Sequence, residues 1–238
     1  EVPANIRRDN TLARPLRDYG PPDRVEPVIT KPPFGGMEED GIENNFPATF
    51  RTRETADLFL VLILTLLAAK GRAALVLPDG TLFGEGIKTR IKEKLLEDCN
   101  LHTIVRLPKG VFSPYTSIKT NLLFFTKGEP TKDVWFYEHP YPPGAKSYSK
   151  TKPLRIEEFA PEKAWWNQRE ENDQAWKVSI EEIRNRGFNL DIKNPRAKDD
   201  GPGDPDELLA QYKQAMAEAA ALREQLRKEL QAAFEGAQ

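Results

Sequence analysis

The sequence predicts an α/β fold: a doubly wound sheet followed by a long C-terminal helix. Three features carry that expectation. Short apolar runs alternate with helical patterns between residues 25 and 126, the run Ala73-Ala74-Leu75-Val76-Leu77 is unbroken by polar side chains, and residues 206–234 contain neither proline nor glycine. Strand–helix alternation belongs to sheets covered by helices. A continuous apolar run fits a strand shielded on both faces, and a long stretch free of helix breakers fits one extended helix.

Residues 1–27 are rich in proline and arginine and predict loop, with a short helix near Asn10 to Arg17. Val25 to Thr30 predicts a strand that runs into Lys31-Pro32-Pro33, where two prolines end the ladder. Gly35-Gly36 then permits backbone angles closed to other residues, and residues 37–53 predict a long polar loop. Glu54 to Lys70 repeats apolar residues at helical spacing on nearly every side, so a buried helix stopped by Gly71 is expected. Arg72 to Leu77 is the next strand, ended by Pro78-Asp79-Gly80. Gly86 to Glu97 carries Ile87, Ile91 and Leu95 on one helical stripe. Leu101 to Leu107 and Lys119 to Thr126 are strands joined by a loop without a helix, hence antiparallel neighbours, and Val134 to Glu138 adds an edge strand. Residues 140–197 predict irregular structure around Trp165, Trp166 and Trp176, with a short helix near Ser179 to Arg186. Residues 198–205 form a linker. In 206–238, Leu209, Tyr212, Met216, Ala219, Leu222, Leu226, Leu230 and Phe234 fall at spacings of three or four, close to a coiled-coil seam. The expected organisation is 1–139 as α/β domain, 140–197 as extension, 198–205 as linker and 206–238 as helix.

Composition narrows the function classes. One cysteine, Cys99, excludes an internal disulfide, and with only His102 and His139 beside it a Cys/His zinc site is not expected. Cys99 and His102 read as packing residues. The longest apolar run, Leu58 to Ala69, is shorter than the roughly 20 residues a bilayer demands. Neither a span nor a signal peptide is visible, which points to the cytoplasm. A net charge of −2 is unlike that of a protein gripping DNA by charge alone, so any DNA contact needs a local basic patch or a partner. No GxGxxG loop follows a strand, and Gly84-Glu85-Gly86 lacks the third glycine. The half of the sheet that would carry such a turn is expected to precede Glu1 in a longer protein.

The segment Val28-Ile29-Thr30-Lys31-Pro32-Pro33-Phe34-Gly35-Gly36 resembles the catalytic motif of DNA amino-methyltransferases: Asn or Asp, Pro, Pro, then Phe or Tyr, at the end of a strand. Pro78-Asp79-Gly80, Val105-Arg106-Leu107-Pro108-Lys109-Gly110-Val111-Phe112 and Asn121-Leu122-Leu123-Phe124-Phe125 follow in order. Together they are similar to the modification subunit of type I restriction-modification systems. The resemblance covers about residues 9–137, and the C-terminal helix by position only. It implies a Rossmann-like methyltransferase sheet, S-adenosylmethionine as cofactor and adenine N6 in DNA as target. The implied partners are DNA, a specificity subunit reached through the C-terminal helix, a second modification subunit and a restriction subunit.

The motif has a physical logic. The N6 lone pair of adenine is delocalised into the ring, so acceptors must draw on its hydrogens before it attacks. In the family the Asn side-chain carbonyl and the first proline's backbone carbonyl do this. The prolines hold these acceptors rigid, and the aromatic residue stacks on the flipped base. Lys31, Pro32, Pro33 and Phe34 occupy those positions here. Lys31 departs from the pattern, because an ammonium donates and cannot accept. The resemblance thus implies a methyltransferase, and Lys31 implies a poor or dead one; the alternative is a non-catalytic scaffold that keeps the fold and the partner helix. Phe34 stacks on a base or packs inward. Asp79 lies where functional residues collect, but Pro-Asp-Gly is also a common turn. Lys109, Tyr115, Thr116, Ser117 and Lys119 touch phosphates or form a plain solvated loop. Asp9 is a candidate for the donor's adenine.

Overall fold

The computed structural model describes residues 8–145, 147–197 and 205–235. They form two compact units, 1–196 and 197–238. The first unit is built on a six-stranded sheet: β1 (Val25–Thr30), β2 (Leu67–Pro78), β3 (Cys99–Arg106), β4 (Thr120–Lys127), β5 (Asp133–Glu138) and β6 (Ala175–Ser179), in spatial order β1-β2-β4-β3-β5-β6. β1 and β2 are parallel, as are β3 and β5, while β4 runs against both its neighbours and β6 against β5. The carboxyl ends of β1, β2, β3 and β5 therefore share one edge of the sheet with the start of β4. The expected antiparallel pairing of the strands around 101–107 and 119–126 is present.

Helices α1 (Thr55–Leu66) and α3 (Ile87–Asp98), with the short α2 (Asp79–Phe83), pack with alternate strand residues into the main core. α1 is buried on nearly all sides, as its apolar circumference requires. The intervening strand residues face the opposite side, because side chains alternate along a strand. There Val105, Leu107 and Tyr137 pack with Trp165 of α4 (Ala160–Trp166). The sheet thus has helices on both faces. Coverage is uneven, however: in β2, Ala73, Leu75 and Leu77 are buried, whereas Ala74 and Val76 are only half-buried.

Several elements differ from expectation. α1 stops at Leu66 rather than Lys70, because Leu67 is already extended and pairs with Val25 of β1. The next matched pair is Pro27 with Arg72, so residues 68–71 bulge out, with Lys70 in the left-handed region. Gly71 lies in this bulge, where an added Cβ would come within 2.9 Å of the Glu26 and Ala68 carbonyls. Its role is a close chain crossing and not a helix stop. The helix expected at Asn10 to Arg17 is only a 3-10 turn at Leu16–Asp18. β5 is interior and not an edge, because β6, inside the stretch expected to be irregular, pairs along its outer side. Trp176 of β6 stacks on Phe136 of β5 with ring centres 5.4 Å apart. Tertiary burial of that tryptophan, more than strand propensity, recruits the segment. α5 (Ile180–Asn185) follows, with Ser179 accepting from the Glu182 amide as N-cap.

The second unit is one helix, α6 (Pro205–Glu235). Within it Leu209, Tyr212, Met216, Leu222 and Leu226 are exposed. The linker expected at 198–205 lies outside the described residues but for Pro205, as do the side chains of Leu230 and Phe234. Among the described residues no helix is long and apolar enough to cross a membrane.

Candidate functional site: an aromatic pair and a basic trench at the carboxyl edge

Lys31-Pro32-Pro33-Phe34 begins where β1 ends. Pro32 is buried and anchors the turn, Lys31 and Pro33 are exposed, and Phe34 is half-buried. Phe34 meets Phe112, which sits in the loop between β3 and β4, edge to face at 4.9 Å between ring centres. The Lys31 ammonium lies over the Phe34 ring, 4.1 Å from its centre, and 5.7 Å from that of Phe112. Phe112 is the residue that local reading passed over. It stands in a quoted segment, but only the fold brings residue 112 against residue 34.

Gly35 and Gly36 have φ of 69° and 98°, which a side chain tolerates poorly. The Gly36 carbonyl accepts from the Thr55 amide and hydroxyl at the start of α1. The loop beyond is ordered. Glu38 accepts from Thr55 through its carboxylate and from Arg53 through its backbone carbonyl, and the Asn45 amide donates to the carbonyls of Leu12 and Ala13. A Cβ on Gly35 would meet nothing within 4 Å, so bare backbone faces open space.

Asp79 follows β2, and its carboxylate accepts from the buried Asn121 side chain at 2.6 Å. Its amide donates to the Lys119 carbonyl at 3.0 Å. Asp79 is therefore both the turn that the sequence suggests and a clamp between β2 and β4. Cavities open on either side of it, and both Lys109 and Lys119 line each. One, of about 560 Å³, is bounded by Gly35, Gly36, Thr55, Lys88 and Ile118. The other, of about 430 Å³, is bounded by Arg106, Glu138, His139 and Tyr141. The exposed lysines thus stand over a trench along the carboxyl edge of the sheet, the usual ligand position in open α/β sheets. Tyr115 is 93% exposed and lines neither cavity. Asp9 is exposed and accepts from the Asn10 amide, away from both cavities.

The larger cavity rests on ionised side chains. Lys88 bonds Glu54 and lies 2.9 Å from buried Asp57. Burial pushes the Asp57 carboxyl up, against the opposing pull of Lys88. Burial lowers Lys88 too, but bonds to Glu54 and Asp57 outweigh it and raise the amine. Behind them Lys92 is buried, donates to the Leu82 and Gly84 carbonyls at 2.8 Å, and is lowered to about 8 by burial. Arg106, which lines the smaller cavity, pairs with Asp191 and donates to the Ile192 carbonyl of the segment after α5.

Cys99 and His102 lie elsewhere, as packing residues should. Cys99 is buried, and burial pushes its thiol up to about 11. His102 packs edge-on against Trp166, and burial, with Arg169 nearby, lowers it to about 4. Among the described residues no group of three His, Cys, Asp or Glu side chains could hold a metal ion.

Comparison with known proteins agrees with this architecture. The family model "N-6 DNA Methylase" matches residues 1–201. The type I restriction enzyme EcoEI methylase subunit of Escherichia coli is 64% identical over 243 residues, covering 99% of this chain and 49% of that subunit. The EcoKI methylase subunit of Escherichia coli K12 is 35% identical over 66% of this chain and 30% of its own length. A crystal structure of a modification subunit, assigned to a type I restriction enzyme of Vibrio vulnificus YJ016, superposes with a TM-score of 0.76 at 51% identity, over 79% of this chain and 42% of that one. The chain thus spans about half, or less, of the length of the relatives it matches. It belongs to the N-6 DNA methylase family, among the modification subunits of type I restriction-modification systems.

Proposed function

We propose that this chain supplies the target-base half of a cytoplasmic modification subunit that transfers a methyl group to adenine N6 in DNA, and that Lys31 makes it a slow one. The observation that carries this reading is the Phe34–Phe112 pair, 4.9 Å apart at the end of β1 and directly before the open Gly35-Gly36 turn. A flipped base stacks on such rings, since every base has a π-face. S-adenosylmethionine, when bound, supplies the electrophilic methyl. Gly35 and Gly36 allow close approach to it, and Asp9 is offered to its adenine. The buried Pro32 holds its carbonyl as the acceptor for one N6 hydrogen. Lys109, Tyr115 and Lys119 serve the DNA phosphates, with sequence read by another chain. α6 offers its exposed apolar stripe to the helices of a specificity subunit, in an assembly with a second modification subunit and a restriction subunit.

Lys31 cannot draw on the second N6 hydrogen, and its charge opposes a sulfonium. Loss of one preorganised hydrogen bond in the transition state costs about 10²–10³ in rate. Methyl transfer by the full assembly, measured with radiolabelled donor, should therefore rise by about that factor in Lys31→Asn. Equal rates for the two proteins would refute the reading. Lys31 also favours a second reading, a non-catalytic scaffold that keeps DNA and partner binding. Absence of transfer in both proteins, with DNA binding retained, would select it.

A further inference from the structure

Lys31 has chemistry of its own beyond the loss of an acceptor. Its ammonium lies over Phe34, 4.1 Å from the ring centre, and among the described residues it has no ion-pair or hydrogen-bond partner. A planar ligand stacking on the face of Phe34 that Lys31 covers takes the layer, roughly 3.5–4 Å above the ring, that this ammonium fills. The ligand therefore displaces the ammonium. It does not send it far, because Lys31 is tethered between Thr30 of β1 and the buried Pro32. The four-carbon stem then carries the charged group to the rim of the ligand, where it meets the edge of the base. A lysine presents donors only, so the edge it favours offers acceptors side by side. Guanine and hypoxanthine do so with O6 and N7. Adenine places the N6 donor beside N7 and leaves one acceptor there.

Resting on the base-stacking reading above, we infer that Lys31 turns this aromatic slot into a receptor for 6-oxopurines ahead of adenine. Asparagine in the same place favours adenine, because its amide can accept from N6 while donating to N7. The substitution therefore changes which base the slot holds as well as how fast a held adenine reacts. Discrimination comes from the donor pattern alone, since adenine and hypoxanthine have nearly the same shape and stack alike.

The test is calorimetric binding of single-stranded pentanucleotides to the full modification subunit that contains this chain. Each strand carries one purine flanked by abasic residues, so no unpairing cost enters and no other base competes for the slot. Hypoxanthine should bind about tenfold tighter than adenine. Lys31→Met should abolish the difference, Lys31→Asn should reverse it, and Phe34→Ala should reduce both strands to the affinity of an all-abasic strand. Equal binding of the two purines, or a preference that survives Lys31→Met, overturns the inference while leaving the stacking slot intact if Phe34→Ala still weakens both. Binding that is indifferent to Phe34→Ala, or no binding at all, overturns the stacking slot and the inference together. Lys31 is exposed, so its variants are expected to fold.

Discussion

The Lys31 ammonium stands over the Phe34 ring, and Phe34 and Phe112 meet in a T-shaped pair, so a cation and two aromatics from distant parts of the chain form one cluster. At an exposed site a cation–π contact contributes about 0.5–1 kcal/mol, and an aromatic pair about 0.5–1.5 kcal/mol beyond its buried area. Lys31→Met should therefore change thermal stability by no more than about 1 kcal/mol. A double-mutant cycle of Phe34→Ala and Phe112→Ala, followed by urea unfolding, should show coupling of about 1 kcal/mol. Additive effects would mean that the two rings do not meet in solution.

Lys109 and Lys119 line both cavities and carry the basic charge of the trench. If both neutralise phosphates, replacing them with alanine lowers the slope of log affinity against log salt by about 1.8 on duplex DNA. Filter binding across a salt series reads this directly. An unchanged slope would assign these lysines to solvent.

Asn121 is buried, donates to Asp79, and leaves its own carbonyl oxygen without a partner. Asn121→Ala removes the clamp between β2 and β4 and should cost about 1–3 kcal/mol in urea unfolding. Asn121→Asp should cost more, because it sets two carboxylates against each other in a buried place.

His102 is held at about 4, below its unfolded value of 6.5, by burial and by Arg169. The unfolded chain therefore binds more protons between those values. The stability tied to neutral His102 is complete above about pH 6.5 and is lost as pH falls towards 4. Allowing for solvent screening, the loss is about 2 kcal/mol. His102→Gln should flatten this part of the stability profile, and a profile identical to wild type would show that other groups set it.

The α6 stripe of Leu209, Tyr212, Met216, Leu222 and Leu226 is exposed within its own unit. Deleting residues 205–238 should abolish co-elution with a specificity subunit and leave the α/β unit's thermal transition in place. Retained co-elution would put the partner surface elsewhere.

Much of the core was legible in local pattern. The helical spacing of Leu58, Val61, Leu62 and Leu66, the unbroken run Ala73 to Leu77, and the Ile87-Ile91-Leu95 stripe each identify an element from side-chain period alone. β6 was harder to read, because its alternation, Trp176 and Val178 against Lys177 and Ser179, spans only four residues within a stretch rich in proline, lysine and glutamate. These residues become a strand only through Trp176 on Phe136 and the open side of β5. The early end of α1 was hidden for a similar reason. Leu67 continues the helical pattern but is claimed by pairing with Val25, a residue far away in the chain.

Local pattern was enough for β1 to β5 with α1 and α3, for the rigid Pro-Pro turn and for the donor-only chemistry of Lys31, because spacing, ring closure and ionisable groups belong to residues in their own neighbourhood. Only the tertiary structure decided that Phe112 completes the aromatic pair, that Asp79 is clamped by Asn121, and that Lys109 and Lys119 share a trench. Those relationships join residues many positions apart. They arise where four strands bring their carboxyl ends to one edge, a consequence of pairing and register that no local window of residues encodes.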